Sequence, residues 1–259
     1  MEWDWGMPWY RPTRINHCVP GGEYGWRSGT GVWPDYYPDS LPGAVNIGLG
    51  SPTGVTSGVG AKFPAKYQKA IYALDWTYGR LIAVHPTPNG AGYTATWENF
   101  VAPKGLDGTS PKKPLPLTDA VVGNDGAMYF TIGGRNNQAA LYRVSYTGPE
   151  PTAPADLHDA AGADARKQRK MLEAFYGKAD PKAVETAWPF LGGDDRVLRF
   201  AARVAIEWQP VAEWKAKALA EANPTAALTA LLALARYGDR ASQAELLAAL
   251  EKFPLAKLT

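Results

Sequence analysis

Glycine, proline and the aromatic residues crowd into one part of this chain, and that segregation limits its fold more than any single motif. Residues 1–150 hold 22 of the 27 glycines, 15 of the 22 prolines and 21 of the 30 aromatic residues. Residues 151–259 are instead rich in Ala, Leu, Glu, Lys and Arg. The first composition suits short strands and many turns, the second helices. Charge does not follow the division, with 12 basic against 11 acidic residues in the first part and 15 against 14 in the second. A balance this close supplies no electrostatic reason for a nucleic-acid partner or an anionic membrane. No run of about 18 apolar residues occurs, so no membrane span is expected. The single Cys18 leaves no internal disulfide, no Cys-cluster metal site and no C-x-x-C-H haem attachment. The acidic, aromatic start MEWDWGMPWYRPTR does not read as a signal peptide.

In the first part, apolar runs of strand length recur: Ala44–Leu49, Val55–Val59, Ala70–Leu74, Arg80–Val84, Ala120–Val122, Ala127–Ile132 and Ala139–Tyr146. Turn pairs such as Tyr78-Gly79, Asn89-Gly90 and Gly133-Gly134 separate them. The stretches Ala70–Val84 and Ala127–Val144 share a strand, a glycine-containing turn and a second strand of form Leu-x-x-Val, at an offset of 57 residues. Such a repeat fits successive blades of a β-propeller; two unrelated hairpins of a β-sandwich fit it as well. Residues 1–150 supply two or three blades, fewer than a closed ring needs, so the chain is expected to be a piece of a longer protein.

Three prolines in Thr147–Ala155 mark a linker. Beyond it, helix-start signals stand at Asp180-Pro181, Asp194-Asp195 and Asn223-Pro224, and a stop at Tyr237-Gly238. Asp195–Ala205 resembles the second helix of a HEAT repeat. The fold expected is therefore a partial β-propeller of antiparallel blades over 1–147, a linker over 148–158 and an all-α HEAT-like repeat region over 159–259.

Candidate binding residues cluster near the N-terminus. Arg11, Arg14 and Arg27 are interleaved with Trp9, Tyr10, Tyr24 and Trp26, a pattern that either binds a planar anion or ties long loops together. His17 lies beside two of these arginines, whereas His85 and His158 read as surface residues. Arg135, in a loop between two strands, is placed to face a propeller mouth. Glu2 and Asp4 are the weak candidates for a hard cation such as calcium. The Gly48–Gly60 run lacks the lysine of a phosphate loop, and no G-x-S-x-G occurs.

These residues also carry a resemblance. Gly22-Glu-Tyr-Gly-Trp26 resembles the G-x-N-Y-G-W segment of soluble quinoprotein sugar dehydrogenases of the glucose/sorbosone dehydrogenase type. Ser51-Pro-Thr-Gly54, Phe63-Pro64 and Asp119–Tyr129 resemble further segments of that family. The set Pro8–Arg14, Tyr24–Gly29 and Ala61–Tyr67 is similar to large planctomycete-type propeller proteins, labelled membrane-bound dehydrogenase or haem-binding domain proteins. Glu23 stands at that family's asparagine, and Asp75 where a basic residue is expected.

The resemblance implies a fragment of a periplasmic or secreted sugar or alcohol dehydrogenase. Pyrroloquinoline quinone and calcium would sit at the propeller mouth, and electrons would pass to a haem c domain outside this chain. Arg11, Arg14, His17, Arg27 and Arg135 would line that mouth and bind a sugar-type substrate. The chain alone is expected to be inactive. The alternative is a non-catalytic scaffold that binds a glycan, or a protein partner on the helical repeats.

Overall fold

The computed structural model describes residues 13–24, 35–37, 40–106, 108, 115–254 and 256. The chain forms two compact units. One comprises Met1–Cys18, Gly22–Pro88 and Tyr93–Asp159; the other comprises Val19–Gly21, Asn89–Gly92 and Ala160–Thr259.

Among the described residues, the first unit holds three antiparallel sheets. β1 (Thr13–Ile15) pairs with β2 (Val45–Gly48). The second sheet has the order β3 (Pro52–Ser57), β4 (Ile71–Asp75), β5 (Arg80–Asn89), β6 (Gly92–Val101), with the short helix α1 (Ala65–Gln68) between β3 and β4. The third has the order β7 (Leu117–Val122), β8 (Met128–Gly134), β9 (Asn137–Val144).

Side chains on a strand alternate between faces, and here both faces of the central strands are buried. Tyr72 and Leu74 of β4, with Leu81 and Ala83 of β5, enter a core shared with Leu117, Met128, Phe130 and Ile132. Ala73, Ile82 and Val84 enter a second core with Ile15 and Ile47. Burial on both sides is why β4 and the first half of β5 read as unbroken apolar runs. Pairing of β5 with β4 stops at Val84. Pro86 and Pro88 lie beyond it, where a missing N–H breaks no rung of that ladder. The buried Gln68 amide donates to the carbonyls of Phe63 (2.7 Å) and Ala153 (2.8 Å), and its oxygen accepts from Ala155 N–H (2.9 Å). The proline-rich segment is thereby fixed within this unit.

The second unit is helical: α2 (Ala163–Glu173), α3 (Ala183–Ala187), α4 (Arg196–Glu207), α5 (Val211–Ala220), α6 (Pro224–Tyr237) and α7 (Gln243–Leu250). Asp195 caps α4, its carboxylate accepting from Val197 N–H (2.9 Å) and Leu198 N–H (3.1 Å). Asn223 caps α6 through Ala226 N–H at 3.0 Å. The nearly solvent-free α4 packs on α2, α3 and α6, and carries the buried pair Arg203–Glu207 at 2.6 Å.

Two expectations are corrected. No propeller forms among the described residues: the sheets have two, four and three strands, and none is closed. Closure needs repeated blades of four strands, and only one sheet has four. The two similar stretches are real hairpins, but each completes a sheet of different size. Nor do the helices form a HEAT-like solenoid. Stacked repeats touch only their neighbours. Here helices of unequal length, from 5 to 14 residues, share one core that draws on Leu172, Ala187, Leu198, Trp214, Leu231 and Ala249.

Candidate functional site

Two hairpin turns of the sheet unit frame a concavity. In the first, Asp75 at the end of β4 faces Arg80 at the start of β5. The turn Trp76-Thr-Tyr-Gly79 closes the hairpin. Asp75 Oδ1 accepts from the backbone N–H groups of Ser51 (2.9 Å), Thr77 (3.1 Å) and Tyr78 (3.4 Å). Its Oδ2 accepts from Arg80 Nε at 3.0 Å and Nη2 at 2.9 Å. Arg80 Nη2 also donates to the Leu49 carbonyl at 2.8 Å. Both side chains are buried, so this carboxylate is committed to holding the turn. Gly79 is required twice over: its φ is +69°, and a Cβ there would lie 2.7 Å from the Leu115 carbonyl oxygen.

The second turn joins β8 to β9, with Gly134 paired to Asn137. Its two central residues, Arg135 (φ 49°) and Asn136 (φ 64°), are both left-handed. That is the geometry of a two-residue type I′ turn, whose twist matches the strands. The Asn137 side-chain amide donates to the Gly134 carbonyl at 2.9 Å. The two turns meet: Trp76 Nε1 donates to the Gly133 carbonyl at 2.8 Å, and the Arg135 guanidinium lies 5.2 Å from the Trp76 ring centroid.

The cavity at this junction has a volume of about 220 Å³ and is lined by Trp76, Thr77, Tyr78, Gly79, Leu115, Pro116 and Asn137. Its chemistry is two aromatic rings, an apolar wall, a hydroxyl and an amide. No carboxylate or imidazole is among the lining residues. The arrangement can hold a ring that is apolar on its faces and polar on its rim; it carries no general base.

The acid–base chemistry lies elsewhere in the unit. His85 Nε2 is 2.9 Å from Glu98 Oε1, and Lys66 Nζ is 2.6 Å from the same oxygen. The Lys66 ammonium and the His85 hydrogen bond hold the Glu98 carboxyl below its ordinary value despite some desolvation. Glu98 in turn raises Lys66. Burial, with the Glu98 charge, pushes the neighbouring Tyr67 phenol up. The cluster is a partly exposed ion pair of the kind that contributes little to stability.

Of the residues singled out from sequence, Arg135 is not among those lining the pocket, but its guanidinium lies over the ring of Trp76, which is. Arg14 is buried on β1; its Nη2 donates to the Tyr24 carbonyl at 3.1 Å, and Nη1 is 4.0 Å from Asp35. His17 is half-buried, edge-on to the Tyr93 ring at 5.0 Å, and its carbonyl accepts from Tyr24 Oη at 2.7 Å. These two gather around Tyr24. Arg11, Arg27, Glu2 and Asp4 lie outside the described residues. Trp76, Tyr78 and Asn137, which line the pocket, carry no motif that marks them in the sequence as site residues. The local signal is an aromatic-x-aromatic-Gly turn, where polar residues ordinarily stand.

A quinone with calcium would call for several oxygen donors. The pocket lining offers no carboxylate, and among the described residues no three His, Cys, Asp or Glu side chains come together as a metal site. The described residues do not fit that pair, and no step is derived through it. Among them, no helix is long and apolar enough to cross a membrane.

No protein-family model matches the sequence, and no curated protein matches it. A solved structure does: an oxidoreductase (glucose dehydrogenase) from Thermus thermophilus, 18% identical, with a TM-score of 0.37. The alignment covers 51% of this chain and 36% of that one, so this chain spans little more than a third of that structure. At that TM-score the likeness carries no inference about this chain.

Proposed function

We propose that this chain binds a single sugar ring in the pocket between the Trp76 and Asn137 turns, and that it recognises the sugar without oxidising it. The observation that carries this reading is the lining itself: Trp76 and Tyr78 beside Thr77 and Asn137. A pyranose has apolar C–H faces and a rim of hydroxyls. Aromatic rings take the faces, and the amide and hydroxyl take the rim. A volume of about 220 Å³ is below the ~300–1,000 Å³ of drug-sized sites, which suits one ring and excludes a dinucleotide. The turn is held by the Asp75–Arg80 pair before any ligand arrives, which lowers the entropy cost of binding.

Titration calorimetry with methyl glycosides of glucose, galactose, mannose and xylose tests it. At least one should bind, and both Trp76→Ala and Asn137→Ala should weaken that binding while the far-UV circular dichroism stays that of the parent. Heat from none of them overturns the reading.

Sugar oxidation is the second reading, favoured by the His85–Glu98 pair, which has the chemistry of a general base and its orienting acid. Its residues are not among those lining the pocket. Dye reduction by the chain supplied with quinone, calcium and an aldose, and lost in His85→Gln, would replace the binding-only reading.

A further inference from the structure

Resting on the sugar-ring reading, we infer that the pocket is built for an acidic sugar, with Arg135 as the counter-ion of a ring carboxylate. The first support is the backbone. Arg135 sits at φ 49°, in the left-handed region that glycine, asparagine and aspartate occupy most readily. Its turn partner is an asparagine, the residue that such a position favours. A long cationic side chain stands where a small residue would close the turn with less strain, and strain of this kind collects at binding sites.

The second support is where the guanidinium goes. It lies over Trp76, the same indole that lines the cavity and is pinned through Nε1 to Gly133. A contact through the ring face uses none of its N–H donors. Other arginines of the sheet unit are matched: Arg80 to Asp75 and Arg143 to Asp125, at 2.9 and 2.8 Å. Among the described residues, no carboxylate or hydrogen-bond acceptor is paired with Arg135, whose interaction is the one with Trp76. A planar fork of donors is thus held over a ring that lines the pocket, and such a fork matches a carboxylate with two parallel hydrogen bonds.

The third support is what the pocket leaves out. No acidic side chain is among the described residues that line it, and the nearby Asp75 is paired with Arg80. An anionic ring meets no negative charge from these described lining residues.

The test is a matched pair of ligands that differ only at C6: methyl β-glucuronide and methyl β-glucoside, titrated into the full chain at low and at high salt. The glucuronide is expected to bind about tenfold more tightly at low salt, the scale of one charge-assisted contact, with the margin narrowing as salt is added. Arg135→Asn, which suits a left-handed turn position and so should fold, is expected to erase the margin. Arg135→Lys, which keeps the charge but not the fork, should retain part of it. Equal affinity of the two ligands for the parent protein overturns the inference and leaves the sugar-ring reading standing. No binding of either overturns both. A margin that survives Arg135→Asn overturns the role of Arg135.

Discussion

The two turns that frame the pocket reach the same end by opposite means. The Trp76 turn is held by side-chain charge: one buried carboxylate collects three backbone N–H groups and a guanidinium. The Arg135 turn is held by backbone conformation, two left-handed residues closing on one amide hydrogen bond. The first turn is hard to break, because removing one partner leaves a buried charge. The second is easily altered, because its arginine makes no buried bond. A binding site assembled from one rigid and one replaceable turn can keep its shape while the specificity side changes.

That contrast is broken most severely by Asp75→Asn. The neutral amide leaves Arg80 buried without a counter-charge, and a loss of about 3–5 kcal/mol is expected. Urea unfolding measures it, and a loss under about 1 kcal/mol, the scale of an exposed pair, would show that the ion pair does not anchor the turn. Gly79→Ala comes next. It adds a Cβ 2.7 Å from the Leu115 carbonyl in a left-handed residue, and should cost roughly 2 kcal/mol while moving the Leu115 wall of the pocket. Sugar affinity should fall with it.

Trp76→Phe tests the bond between the turns. The ring face remains, but the donor to Gly133 is gone, and about 1 kcal/mol should be lost. Arg135→Asn sharpens the comparison from the other side. Relief of left-handed strain and loss of the cation–aromatic contact are each about 1 kcal/mol and oppose one another, so the unfolding free energy should stay within about 0.5 kcal/mol of the parent.

The smallest effect is expected at Asp125, on the sheet of the second turn but remote from it in the ladder. Arg143 above all, with Ala127 N–H and the Tyr129 hydroxyl, holds its carboxyl down from 3.8 to about 2. A depressed carboxylate stabilises the fold above its unfolded value and loses that contribution as pH falls through its folded one. The thermal midpoint of Asp125→Asn should therefore lie slightly below the parent's at neutral pH and converge on it as pH falls to about 2. Sugar binding should not change.

Local chemistry was legible in the sequence. Asp194-Asp195 and Asn223-Pro224 read as helix starts, and Asp195 and Asn223 cap α4 and α6. Tyr237-Gly238 reads as a stop, and α6 ends at Tyr237. The apolar runs at Ala70–Leu74 and Arg80–Val84 became β4 and the first half of β5. Each of these depends on a few adjacent residues: a cap needs one side-chain oxygen, and a strand needs alternation or sustained burial. Asp180-Pro181 was less faithful. The Asp180 carboxylate accepts from Lys182 N–H, but α3 begins only at Ala183.

By itself, then, the sequence determined where many of the strands and helices lie and two of the helix caps, though not β1 or β6, because those features follow from short-range hydrogen bonding and side-chain periodicity. It did not determine how many strands join a sheet, and the pattern of repeated hairpins pointed to blades that do not form. Ring closure and stacking are sums over distant pairings, which a local pattern does not encode. The pocket belongs to the same class. Trp76 and Gly133 are 57 positions apart, and only the packing of one sheet's turn against the other brings the indole under Arg135. That contact exists because β3 packs beside β7 and β4 shares a core with it, a fact of tertiary structure and not of any segment read alone.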